Sequence, residues 1–397
     1  MNRRRFLQNA VTAAAFLSIP RWATQDYLGE MLRTKRREIL FASYSPPTDG
    51  ITDCSSLLNR AMRDAVAARV PLRLPAGTFR ATSLDPPDGL YLVGAGKDAT
   101  YLNGRITFGS NQRWAALKLG DQSASVRNKP GAHYTQFVNA RLRGGGGSGG
   151  DSNTILLGNY ANSVRDVTFK GCDIECTLGN YDNVRVTENS TDPGGAHVED
   201  ITFDGCHFGV HNGVRQGCPR MDFEAYCDTQ TGGTTYYHGW ERINFTGCTF
   251  EASDWYNVDL TSPEAFRTLS PDYHGGCDSR ISGCTLKGGD GYTIVIESPK
   301  NVVIENNTIY RGGYTFKWGC GDMTTVDPAT VVRNNTIDTV TDMGVSDSGN
   351  SVFYIRGGMN VITDNVITTP SGRNVFYVEQ QGRGNVTSPN TINGVVQ

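Results

Sequence analysis

The sequence predicts an all-β parallel β-helix, a solenoid of stacked coils with an amphipathic α-helix capping its start. Three observations predict it: a short phrase that recurs eight times, strand alternation inside every copy, and a composition with only 38% hydrophobic residues and 47 glycines in 397. A solenoid reconciles a long chain with little apolar content, because each coil supplies only a few inward residues and needs many turns.

The phrase reads Val167-Thr-Phe-Lys-Gly-Cys172-Asp-Ile174, then Ile201 to Phe208, Ile243 to Phe250 and Ile281 to Leu286, with Gly-Cys at its centre each time. Later copies replace Gly-Cys with Asn-Asn or a similar pair: Ile304 to Ile309, Val332 to Ile337, Ile362 to Ile367 and, more loosely, Val386 to Ile392. Marked on the Cys or Asn, the steps are 34, 42, 36, 23, 28, 30 and 25 residues. A bare period in the low twenties with insertions is that of a repeat architecture in which each coil holds a few short strands. Apolar β-branched and aromatic residues alternate with polar ones, and Gly, Asn and Asp fill the breaks. In a parallel β-helix each residue stacks on its counterpart in the next coil, roughly 4.8 Å away. Cys172, Cys206, Cys248 and Cys284 then form one internal column, continued by Asn307, Asn335, Asn365 and Asn390. Asn side chains can bond to one another along such a stack, and Cys fills the slot as a small apolar residue. No metal-ligand spacing accompanies them, so the column is structural and no metal is assigned.

At the N-terminus, Arg3-Arg4-Arg5 precedes an apolar run from Ala10 to Ile19 that is too short to span a bilayer. Residues 1–23 read as an export signal similar to the twin-arginine type, which places the mature protein in the periplasm or outside the cell, with no membrane contact. Residues 24–45 are a lead-in, and 46–397 form a single domain. With a net charge of −3 and no basic block, nucleic acid is not expected as a partner. Of ten cysteines, five outside the column, Cys176, Cys218, Cys227, Cys277 and Cys320, sit in expected turns or insertions and are the disulfide candidates, with no pairing implied. Arg143 to Gly150 reads as a glycine-rich turn at one rim.

The turn Asp49-Gly-Ile-Thr-Asp53 supplies a helix cap, and Leu57, Leu58, Ala61, Met62, Ala65 and Val66 follow at helical spacing. Leu72-Arg-Leu-Pro-Ala-Gly77-Thr-Phe79 and Leu90-Tyr-Leu-Val-Gly94-Ala-Gly96 read as the first strands and turns, and the helix would shield their open edges. This succession closely resembles the N-terminal part of the pectate lyase superfamily of right-handed β-helix proteins. The resemblance covers about residues 46 to 105 by motif and the rest by coil pattern. It implies the right-handed fold and a polysaccharide as partner. The family includes hydrolases, lyases, epimerases and tailspikes, so the reaction has to be read from the residues.

A second strand follows each phrase: Met221 to Tyr226, Tyr256 to Thr261, Tyr292 to Glu297, Tyr314 to Trp318, Val352 to Arg356 and Val375 to Glu379. With their apolar residues inward, Asp222, Glu224, Asp259, Glu297, Lys317, Arg356 and Glu379 fall on one outer face. Four carboxylates on three successive coils repel one another unless a proton, cation or substrate compensates, as in a functional cleft. Tyr226, Trp240, Trp255, Tyr256, Tyr292, Tyr314 and Tyr354 crowd the same region and suit the apolar faces of sugar rings.

The first reading is a glycoside hydrolase, with Glu224 and Asp259 at about the retaining separation, Glu224 and Glu297 near the inverting one, and Asp222 as an orienting group. No cofactor is needed for it. The second is a β-eliminating lyase on a uronic-acid polymer, with Ca²⁺ held by Asp222, Glu224, Asp259 and Glu297, and with Lys317 and Arg356 as base, acid or anchors. The paired catalytic arginines of pectate lyases and the combined Asp-Asp and His-Gly pattern of polygalacturonases are not found. A third reading is a carbohydrate-binding or tailspike-like solenoid without catalysis, and a monomer or a trimer suits the chain. Of the histidines, His238 and His274 fall in insertions that can line the groove, while His197, His207 and His211 lack ligand spacing.

Overall fold

A computed structural model describes residues 38–122, 126–144, 153–158, 163–176, 183–186, 197–210, 221–223, 239–252, 257–261, 278–288, 292–297, 301–310, 314–319, 330–339, 351–355, 360–372, 374–378 and 385–397. The export signal, most of the lead-in and Cys218, Cys227, Cys277 and Cys320 lie outside them, as do His211, His238 and His274.

Each recurring phrase is two strands joined by a tight corner. Val167 and Phe169 point inward from the strand Val164–Lys170, and Ile174 does so from Asp173–Cys176. Between them Gly171 adopts φ +60°, the left-handed conformation that turns the chain. The same corner is held by Gly205, Gly247 and Gly283, then by Asn306, Asn334 and Asp364, all with φ between 55° and 64°. This explains why Gly-Cys gives way to Asn-Asn: after Gly, Asn and Asp best tolerate the left-handed region.

Stacking these units yields three parallel sheets of 12, 14 and 10 strands among the described residues. The path runs from the 12-stranded to the 14-stranded sheet through the tight corner, on to the 10-stranded sheet, and back. The chain is a right-handed parallel β-helix. Its core is a set of vertical columns. Phe137, Phe169, Phe203 and Phe245 stack with ring centroids 4.9–5.1 Å apart and planes within 8°, and the column continues through Ile281, Ile304, Val332 and Ile362.

The Cys–Asn column forms as the sequence predicts. Cys172, Cys206, Cys248 and Cys284 are buried free thiols. The Cys248 amide donates to Cys284 Sγ at 3.3 Å and the Cys284 amide to Asn307 Oδ1 at 2.8 Å. Asn307, Asn335 and Asn365 then each donate, from both backbone and side chain, to the amide oxygen of the next Asn at 2.9–3.0 Å. The amide oxygens of Asn335, Asn365 and Asn390 are thereby satisfied by the preceding Asn of the column.

The helix spans Ser55–Ala68 and buries Leu58, Ala61, Met62 and Ala65. Asp53 caps it from one position outside the helix boundary, accepting from the Ser55 amide at 2.9 Å, while its other oxygen takes the Thr82 hydroxyl. Strand pairing already begins at Ile39–Leu40, which joins Leu72–Arg73, and Phe41 is fully buried. Two expectations change. Cys176 belongs to a strand and is buried, because its position alternates inward with Ile174. Arg143 and Gly144 close the strand Arg141–Gly144, since a Cβ at Gly144 would meet the Thr154 Cα at 2.4 Å.

Candidate functional site

The 10-stranded sheet carries the second strands singled out in the sequence. Val258 and Leu260 are fully buried in the core, so Asp259 between them occupies an outward position. Its register partner on the preceding coil is Asp222. On the following coils the same column continues through Val295, Lys317, Tyr354 and Tyr377. Toward the N-terminus it passes through Arg185, Leu156 and Arg127. One column of register partners therefore reads Arg127, Leu156, Arg185, Asp222, Asp259, Val295, Lys317, Tyr354, Tyr377.

Part of this line is shielded from solvent. Leu156, Asp259 and Val295 are 1%, 8% and 4% exposed although they alternate with core residues. On the 12-stranded sheet the outward Lys170 keeps 63% of its side chain exposed. A carboxylate on an outer strand face that nonetheless loses its water requires compensating partners, because burial of a charge is sustained only with them. Neighbouring parallel strands lie about 4.8 Å apart, which sets the scale for the Asp222–Asp259 pair.

The remaining expectations divide by register. Asp222, rather than Glu224, stands opposite Asp259 in the strand register, and Glu224 lies outside the described residues. Glu297 pairs with Thr261 and Gly319, one step of the alternation beyond the Asp259 column. Lys317 and Tyr354 are paired directly and lie in the column. Tyr292 and Tyr314 are opposite each other, at positions that share the alternation of the core residue Ile294 rather than of Asp259. Trp240 belongs to the 12-stranded sheet, in register with the buried Val198, and so is not brought to the column. Tyr226, Trp255, Tyr256, Arg356 and Glu379 lie outside the described residues. Sequence reasoning passed over Arg127, Leu156 and Arg185, which lie in strands of only three residues. The signal that finds them is the stacking register alone.

A separate polar network occupies the 14-stranded sheet. His207 Nε2 lies 3.0 Å from Glu251 Oε1, and Lys287 Nζ donates to both oxygens of Glu251 at 2.7 and 2.9 Å. Burial raises the Glu251 pKa, but the hydrogen bonds from Lys287 and His207 outweigh it and the net shift is downward. Nearer the start, Arg141 bridges Asp98 and Asp173, and Lys97 joins the same Asp173.

No protein-family model and no curated protein matches the chain. Solved structures do. The A-module of the mannuronan C-5 epimerase AlgE6 of Azotobacter vinelandii matches with a TM-score of 0.53 at 12% identity, over 89% of this chain and 99% of that one. PfbA, a surface adhesin of Streptococcus pneumoniae, matches with a TM-score of 0.49 at 14% identity, over 84% and 85%. The Dettilon tailspike protein matches with a TM-score of 0.40 at 12% identity, over 89% and 70%. At these identities the likeness is one of fold.

Proposed function

We propose that this right-handed parallel β-helix protein is an exported polysaccharide-active enzyme, and that Asp259 and Asp222 on the 10-stranded sheet hydrolyse a glycosidic bond. The observation that carries this reading is the shielded Asp259, 8% exposed at an outward position and in register with a second carboxylate. Hydrolysis with retention uses two carboxyl groups about 5–5.5 Å apart, and adjacent parallel strands supply that scale. Two such groups do not both ionise cheaply. Asp259, whose burial disfavours the charged form, is assigned the proton that goes to the leaving glycosidic oxygen. Asp222 is assigned the attack on the anomeric carbon, after which water releases the sugar. Tyr354 and Tyr377, further along the line, extend it as a stacking surface, and Glu224, Glu297, Arg356 and Glu379 are proposed to flank it.

A second reading is favoured by Lys317, which stands in the same outward column two coils beyond Asp259. A base there, with the carboxylates holding Ca²⁺ against a uronate, suits β-elimination. The experiment incubates the purified protein with neutral and uronic-acid polysaccharides and follows new reducing ends and unsaturated-uronate absorbance together, with and without chelator. Reducing ends without that absorbance, abolished in both Asp259→Asn and Asp222→Asn, are expected. Absorbance lost in Lys317→Ala and on chelation overturns hydrolysis in favour of elimination. Binding of a polymer without cleavage overturns catalysis and leaves a carbohydrate-binding solenoid.

A further inference from the structure

The polar network on the 14-stranded sheet reaches the Asp259 strand through one buried side chain. Glu251 follows the strand Thr249–Phe250, and Asn257 immediately precedes the strand Val258–Thr261. Asn257 is fully buried. Its Nδ2 donates to the Glu251 carbonyl at 2.9 Å, its Oδ1 accepts from the Gly288 amide at 2.7 Å, and its own backbone amide donates to the Thr293 carbonyl at 2.9 Å. One residue therefore ties together both ends of the corner between two sheets and fastens that corner to the coil that follows.

The partners of Asn257 are themselves held. Glu251 donates its amide to the Phe208 carbonyl at 3.0 Å, and its carboxylate is bound by Lys287 and lies 3.0 Å from His207 Nε2. Lys287 donates its own amide to the Phe250 carbonyl at 3.0 Å, directly before Gly288 in the chain. His207, Glu251 and Lys287 thus brace three successive coils, and Asn257 carries that brace to within two residues of Asp259. The position alone does not produce such bonding. Asn183 immediately precedes the strand Val184–Val186, two coils earlier in the sheet, and is also fully buried, yet neither its Nδ2 nor its Oδ1 is hydrogen-bonded.

We infer that Asn257 is a positioning residue that fixes Asp259 on the outer face of the 10-stranded sheet, supported by the His207–Glu251–Lys287 network. The inference rests on the reading of Asp259 as a catalytic group. A reacting carboxyl has to be held to a fraction of an ångström, by neighbours that packing and hydrogen bonds lock in turn. The Asn257 amide does this with one donor and one acceptor. A neutral carboxyl offers the same pair, whereas a carboxylate only accepts.

Asn257→Ala and Asn257→Asp test the inference in the full chain, by amide hydrogen exchange and by turnover. In Asn257→Ala, exchange in Val258–Thr261 should accelerate at least about tenfold, while exchange in Thr330–Arg333 stays as in the unmodified chain. Its kcat should fall at least about tenfold with KM little changed. Asn257→Asp should match the unmodified chain at about pH 5, where burial keeps the introduced carboxyl neutral, and should match Asn257→Ala at about pH 9. An equal loss in Asn257→Asp at both pH values would reduce Asn257 to filling space and overturn the inference. So would unchanged exchange in Val258–Thr261 of Asn257→Ala, or acceleration spread equally over both strands. If the unmodified chain cleaves no polymer, the catalytic reading falls, while the exchange measurements still decide whether Asn257 holds the Asp259 strand.

Discussion

Asn335 shows how much one buried side chain carries. Its amide oxygen accepts from the backbone and side chain of Asn307, and its amide nitrogen donates to the Ile304 carbonyl and to Asn365. Asn335→Leu leaves several of these groups buried without partners at about 1–3 kcal/mol each, so a loss of at least about 3 kcal/mol is expected. Asn307→Cys should cost less, about 1–2 kcal/mol, because Cys284 already plays this part for Cys248 at the preceding step. Urea unfolding midpoints of the two variants check the order. Asp53 offers a test by pH. Hydrogen bonds from Ser55 and Thr82 hold its carboxyl down to about 2. A depressed folded pKa means that the contribution is fully present above the unfolded value of about 4 and is lost as pH falls through about 2. Asp53→Ala should cost about 1 kcal/mol near neutrality, as the loss of a helix cap does. Its melting temperature should converge with that of the unmodified chain as the pH approaches 2.

At the scale of elements, stability comes from columns that cross coils rather than from any single strand. Phe203 lies between Phe169 and Phe245 in a stack at 4.9 and 5.1 Å, and is fully buried. Phe203→Ala should cost about 3–5 kcal/mol, read as a lowered thermal midpoint. Phe203→Leu should cost markedly less, since Leu, Ile and Val occupy equivalent slots in other coils. The strands of the 12- and 14-stranded sheets were legible because their phrase combines alternation with a corner residue. The short strands Val126–Asn128, Ile155–Leu157 and Val184–Val186 were not, because three residues are too few for a period to register.

At the scale of the whole molecule, stacking converts positions far apart in sequence into one line. Arg127 and Tyr377 are 250 residues apart in number yet share an outward column. If that line holds the polymer, Asp259→Asn and Asp222→Asn should each lower turnover by at least about a hundredfold with little change in melting temperature, the size typical of removing an acid or base. Equal loss of stability and activity would instead mark a packing role for the pair.

The sequence by itself determined the architecture: the recurring phrase specified the corners, the inward columns and the Cys–Asn ladder, because these depend on local conformation and on a side chain meeting its own repeat. It also placed Asp222, Asp259 and Lys317 on one outer face. Only the tertiary structure decided which residues stand opposite each other. A shift of two residues keeps every side chain on its face while changing every neighbour, so alternation alone does not distinguish Asp222 from Glu224 as the partner of Asp259. The insertions between coils remove the constant spacing that would have fixed that choice, and hydrogen bonding between strands restores it.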